Sequence, residues 1–218
     1  DVWRPGCLNI SGIIRSSEAV PMLRQSVLAG CAMLIVSGCA SVTFPTWTLD
    51  TVRVAHNVHG GLIVRVACPS GLSLDMTPRH LAEQLGLSAQ YHSELVDLTI
   101  LQESSSGSAL TLASSLPALG ELVWMVHSPN GLPRLVAAGV VSGYRVDGLY
   151  MVLYAGTYLG SSGGAVINQR GELVGIVIGM RADMQLGFPT LVPMVTWVLP
   201  ADVIRAELKQ AVPGCLEE

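Results

Sequence analysis

The chain has 218 residues, a formal net charge of −4, 13% charged residues and 5% aromatic ones. The negative charge and the scarcity of aromatic rings exclude a protein steered to nucleic acid or built as a base-stacking platform, and the length is enough for one large domain or two closely packed halves. The mean hydropathy of +0.51 points to extensive burial, an adhesive surface or a position beside a membrane.

Residues 1–25 carry Arg4, Arg15, Glu18 and Arg24 with little periodicity and read as an N-terminal arm. The first residue is Asp1 rather than Met, so the chain reads as a processed or trimmed product, and no basic segment of a secretory signal stands there. Residues 25–49 contain no charge. A run of this length can span a bilayer, but Gly30, Ser37, Gly38, Pro45 and Thr46 interrupt it and β-branched residues cluster inside it, so two or three buried strands are expected.

His56 ends the next apolar run, Val52 to Val58, with His59 three residues on before Gly60-Gly61. Leu62 to Ala67 and Leu72 to Met76 read as strands. Thr77-Pro78 then opens a short helical turn, with Leu81 and Leu85 one turn apart and Gly86 as its stop. Asp97 enters the apolar segment Leu98-Thr99-Ile100-Leu101, and the Ser- and Gly-rich stretch from Ser104 to Ser115 reads as a linker between two halves. Six strand signals follow: Leu122 to His127, Leu135 to Val146 before the Asp147-Gly148 turn, Leu149 to Ala155, Ala165 to Asn168, Glu172 to Gly179, and Gly187 to Val192. Pro200 to Ala211 reads as a helix with Ile204, Leu208 and Ala211 on one face.

The chemistry concentrates in Gly160-Ser161-Ser162-Gly163-Gly164. A serine hydroxyl is a weak nucleophile until a base takes its proton and dipoles wait for the oxyanion. Glycines on both sides allow a tight turn in which successive N–H groups point at one spot, and in that geometry the amides of Gly160 and Ser162 form an oxyanion hole. The strands on the C-terminal side argue against a flexible linker. The base is assigned to His56, because a base must be held by packed strands, with His59 as its rival. His80, His92 and His127 read as surface or turn residues. The orienting carboxylate is assigned to Asp97, which alone among Asp50, Asp75, Glu94 and Asp97 opens an alternating apolar segment. The order His56, Asp97, Ser162 is one of several in which such triads occur. The five cysteines, Cys7, Cys31, Cys39, Cys68 and Cys215, follow no regular spacing and read neither as a disulfide framework nor as a zinc site. A reducing, cytoplasmic compartment is the simpler inference, and no metal or other cofactor is expected.

Four segments make the chain resemble trypsin-like serine proteases, most closely the HtrA-type protease domain: Gly160 to Ile176, Asp97 to Leu101, Ser128 to Leu132 with Gly139 to Gly143, and Leu199 to Ile204. Arg53, Val54 and Ala55 before His56, and Ala165 after the two glycines, depart from that family's pattern. The resemblance implies an all-β, chymotrypsin-like fold of two six-stranded antiparallel barrels. Residues 26–103 would be the first barrel, 104–117 the linker, and 118–218 the second barrel with its C-terminal helix. Residues 62–86 then exceed what the HtrA pattern provides and read as a surface decoration, with a lid or substrate guide as the alternative. The resemblance further implies a serine endopeptidase acting on polypeptides through an acyl-enzyme. The pocket for the residue before the scissile bond would lie between Gly156-Thr157 and Val177-Ile178-Gly179, where no charged side chain stands. A small or medium uncharged substrate residue is therefore expected. Two other readings stay open: a viral polyprotein protease that cleaves itself, working in host cytoplasm, and a catalytically idle binding module on the same fold.

Overall fold

A computed structural model describes residues 52–54, 62–101, 109–132, 134–185 and 188–217. The arm, the uncharged run 25–49, His56, His59 and Asp50 lie outside the described residues.

The first half is a sheet of short strands. β1 (Val52–Val54), β2 (Leu62–Ala67), β3 (Ser73–Thr77), β4 (Ala89–His92) and β5 (Thr99–Leu101) are ordered β1-β2-β3-β5-β4, all antiparallel. Between β3 and β4 lies α1 (Arg79–Leu85), closed by Gly86 at φ 63° with its N–H on the carbonyls of Ala82 and Glu83. That is the left-handed cap a glycine supplies at least cost. β6 (Leu110–Thr111), inside the stretch read as a linker, pairs parallel with β2. Alternation explains β2 and β3: Leu62, Val64, Val66 and Met76 are fully buried on one face. On the other, Arg65 and Asp75 face each other across the ladder, with Nε–Oδ1 at 2.9 Å and Nη2–Oδ2 at 3.3 Å, both side chains buried. A charge this deep is tolerated because it is paired and doubly hydrogen-bonded. The segment 62–86 is thus the centre of the first half and not a decoration on it: β2 contributes to the main core and pairs with three other strands.

The second half is a closed antiparallel barrel of β7 (Leu122–His127), β8 (Leu135–Tyr144), β9 (Met151–Tyr154), β10 (Ala165–Ile167), β11 (Leu173–Gln185) and β12 (Phe188–Pro200), in the order β10-β11-β12-β9-β8-β7. Two barrels were expected, and this one is closed among the described residues. Among the described residues the first-half strands form a sheet and not a second closed barrel. Closure removes the sheet edges that the second half would otherwise expose. The turn at Gly148, φ 71°, joins β8 to β9 as the Asp-Gly pair suggested.

The two halves share one core. Leu62, Val64, Val66, Met76, Leu98 and Ile100 from the first sheet pack in the same cluster as Val126, Ala165, Ile167, Leu173, Ile176 and Leu199 from the barrel. α2 (Ala201–Ala211) buries Ile204 and Leu208 in that cluster. Asp202 in its first turn and Lys209 in its last complement the helix dipole. Two further ties run from the first sheet to this C-terminal segment. The Tyr91 hydroxyl donates to the buried Glu207 carboxylate at 2.9 Å, and Cys68, just after β2, is disulfide-bonded to Cys215. The cysteines thus do include a disulfide. The pair joins residues 147 positions apart, a relation that spacing alone does not reveal. Among the described residues no helix is long and apolar enough to cross a membrane.

Candidate active site

The serine loop is built by its glycines. Gly160 and Gly163 have φ of 88° and 80°, values that a side chain resists. At Gly163 a Cβ would lie 1.9 Å from the Leu62 carbonyl oxygen, and at Gly164 it would lie 2.5 Å from that of Val126. The loop is thus pressed between the first sheet and β7. It is held there by backbone bonds: Leu62 N–H to Ser162 O at 3.2 Å, Gly163 N–H to Val177 O at 2.8 Å, and Val177 N–H to Gly164 O at 2.8 Å.

Ser162 donates its hydroxyl to the carbonyl of Ile178 at 3.1 Å. At that residue the β11–β12 register slips, between Val177, opposite Val198, and Gly179, opposite Trp197. Ile178 is the extra residue of a bulge, a feature often found beside active sites.

The carboxylate of Asp97 lies at the end of the segment that leads into β5. It accepts the backbone N–H of His80 on Oδ1 at 2.9 Å and meets His80 Nδ1 through Oδ2 at 2.5 Å. Burial pushes the Asp97 carboxyl up, but the hydrogen bonds from the His80 ring and backbone, with its charge, outweigh this and hold the carboxyl below its usual range. His80 occupies the first turn of α1, directly after β3. The last residue of β3 matters too: Thr77 Oγ1 donates to Leu62 O at 2.9 Å, while Leu62 N–H is bonded to Ser162 O. One residue of β2 thus touches both the end of β3 and the backbone of Ser162. Tyr150, whose hydroxyl pKa is pushed up by burial and then by the charge of Asp97, shares with Ile178 a cavity of about 260 Å³ lined also by Arg145, Gly179, Met180 and Trp197.

His80, expected to be a surface or turn residue, is half-exposed and meets Asp97 from the first turn of α1, while His56 lies outside the described residues. Of the rival carboxylates, Asp75 is bound to Arg65 and Glu94 is exposed. His92 is an exposed strand residue whose Nδ1 meets Thr99 Oγ1 at 2.7 Å. His127 is not a surface residue: it is 4% exposed at the end of β7, with Nδ1 2.9 Å from Ser161 Oγ, and burial pushes its pKa down.

The expected pocket residues divide. At Gly156 and Gly179 an added Cβ would meet nothing within 4 Å, so both border open space. Thr157 is buried, its hydroxyl bonded to that of Thr196, and both hydroxyls share the carbonyl of Ala155, at 3.3 and 3.1 Å. Val177 faces away, fully buried in the barrel core with Val174 and Val198. Ile178 is partly buried and lines the cavity beside Gly179. Among the described residues no group of three or more His, Cys, Asp or Glu is arranged to hold a metal ion.

Comparison with known proteins agrees with this architecture. The trypsin-like peptidase domain family matches residues 55–176. HhoA of Synechocystis sp. is 32% identical over 145 residues, covering 59% of this chain and 34% of HhoA. The serine endoprotease DegS of Escherichia coli K12 is 30% identical over 92 residues, covering 38% of this chain and 26% of DegS. The chain thus spans about a third or less of the length of these relatives. Among solved structures, the Rv3671c protease of M. tuberculosis H37Rv in its inactive form superposes with a TM-score of 0.58 at 18% identity, over 76% of this chain and 90% of that one. The serine endoprotease of Yersinia pestis gives 0.59 at 17%, over 78% and 68%. These two likenesses speak to the fold. With more than half of its residues matched by that domain, and serine proteases of the HtrA type among its relatives, the chain belongs to the trypsin-like peptidase family.

Proposed function

We propose that the chain is a serine endopeptidase whose nucleophile is Ser162, whose orienting carboxylate is Asp97 and whose general base is His80, the histidine that meets Asp97 among the described residues; His56, the base expected from the sequence, lies outside them. The observation that carries the reading is the double contact of Asp97 with the ring and backbone of His80. Asp97 accepts the Nδ1 proton, which leaves Nε2 as a lone pair able to take a proton. In the reaction the Ser162 hydroxyl turns from Ile178 O to Nε2 and attacks the scissile carbonyl. His80 then gives the proton to the leaving amine, and water hydrolyses the acyl-enzyme. The amides of Gly160 and Ser162 stabilise the oxyanion, each worth about 3 kcal/mol in sites of this kind.

The substrate residue before the scissile bond is proposed to be small or medium and uncharged. The Thr157 and Thr196 hydroxyls are bonded to each other and to Ala155 O, and Arg145, which lines the cavity beside Ile178 and Gly179, is paired with Asp147 at 2.8 Å, so a buried substrate charge would find no uncommitted opposite charge there. A disulfide persists in oxidising surroundings, so the Cys68–Cys215 pair supports an oxidising compartment over the reducing one expected from the cysteine spacing. The test is hydrolysis of a peptide library by the wild type and by Ser162→Ala. The variant should lose on the order of 10⁶ in turnover while keeping its circular dichroism spectrum. Turnover by Ser162→Ala at the wild-type rate would remove the nucleophile from the account.

A further inference from the structure

The stretch Val126 to Asn130 touches the serine loop at three points. The Val126 carbonyl closes on Gly164, where even a methyl group does not fit. The Asn130 N–H donates to Leu159 O at 2.6 Å. Between them, His127 Nδ1 meets Ser161 Oγ at 2.9 Å, with both side chains buried. Ser161 stands between Gly160 and Ser162, the two residues whose amides are assigned to the oxyanion.

Ser161 Oγ accepts the Tyr158 N–H at 3.2 Å and keeps a proton of its own to give to His127 Nδ1. That nitrogen then acts as an acceptor, and the ring proton sits on Nε2. Burial favours this neutral form. The result is a chain from the Tyr158 amide through Ser161 to a ring fixed on the end of β7. A serine hydroxyl alone leaves the loop free to choose among turn conformations; a hydroxyl locked between an amide and a buried ring does not.

We infer that His127 is a positioning residue: through Ser161 it sets the orientation of the Gly160 and Ser162 amides. The inference deepens the proposed serine endopeptidase reading and rests on it for its catalytic consequence, but the brace has a readout that needs no turnover.

The experiment compares wild type, His127→Ala, Ser161→Ala and the double variant in two assays. In amide hydrogen–deuterium exchange, the peptide covering Leu153 to Val166 should exchange about tenfold faster in each single variant under conditions where the rest of the barrel keeps its protection. Unchanged exchange in both variants overturns the inference, whether or not the enzyme is active. In peptide hydrolysis, kcat should fall about 10- to 100-fold, as expected for misplaced transition-state donors, with KM nearly unchanged. The double variant should lose no more than the worse single variant, because both substitutions break one link. Additive losses, or a KM that rises while kcat holds, overturn it as well. Ser161→Ala removes one oxygen and keeps the fold if His127→Ala does not. An inactive wild type with a loop that loosens on substitution would refute the endopeptidase reading and leave the brace standing.

Discussion

Reducing the Cys68–Cys215 disulfide should destabilise the protein by an amount set by the length of chain it closes. The two cysteines are 147 residues apart, and the chain-entropy relation for a loop of that size gives about 17 cal/mol/K, or about 5 kcal/mol at 25 °C, as an upper value. Cys215 is fully buried in the shared core and Cys68 nearly so, so substitution by Ala adds little strain and keeps the packing mostly apolar. For a domain of this size, each kcal/mol moves Tm by about 2–4 °C, which predicts a fall of about 10–20 °C. Differential scanning calorimetry on wild type with and without a phosphine reductant measures it, with Cys68→Ala/Cys215→Ala as control. The double variant should melt near the reduced wild type and be indifferent to reductant. A wild type that melts within 2 °C of its reduced form would refute the idea that this bond joins the first sheet to the C-terminal segment in solution.

Other consequences follow from particular contacts. Gly163→Ala should lower labelling by a fluorophosphonate at least 100-fold with the fold retained, because a Cβ 1.9 Å from Leu62 O at φ 80° must displace the serine loop; labelling at the wild-type rate would contradict the packing. Asp75→Ala should cost about 3–5 kcal/mol in urea unfolding, since it takes the carboxylate from buried Arg65, whereas Arg65→Met/Asp75→Leu should recover most of it. His127 is held neutral by burial with its pKa below 6.5, so its contribution to stability is complete above the unfolded value and is lost as pH falls through the folded one. Thermal melts of wild type should therefore decline below about pH 6.5 more steeply than those of His127→Asn, and parallel profiles would count against it.

Much of the second half could be read from the residues, because turn chemistry and apolar runs agree there. Asp147-Gly148 marked its hairpin, the Gly160 to Gly164 run its loop, and Ile204 with Leu208 the buried face of α2. What stayed hidden depends on distance in space. Nothing in the sequence announces that Ile178 bulges beside Ser162, or that Cys68 meets Cys215. The base was assigned to His56 because it closes the apolar run Val52 to Val58, and that residue lies outside the described ones. Leu62, Val64, Val66 and Met76 have the alternation of a buried strand pair, and that pair is what places the His80 turn beside Asp97. His127 was misjudged for a related reason: a histidine before Ser-Pro-Asn-Gly resembles a turn residue, and only the barrel shows its ring buried behind the serine loop.

The proposed triad is tested most directly by fluorophosphonate labelling of His80→Ala and His56→Ala, side by side with wild type and Ser162→Ala, followed by mass spectrometry of the labelled peptide. The account predicts that wild type and His56→Ala carry the label on Ser162 at comparable rates, and that His80→Ala, like Ser162→Ala, is not measurably labelled. Labelling that survives in His80→Ala and disappears in His56→Ala would return the base to the end of the Val52 to Val58 run and contradict the account.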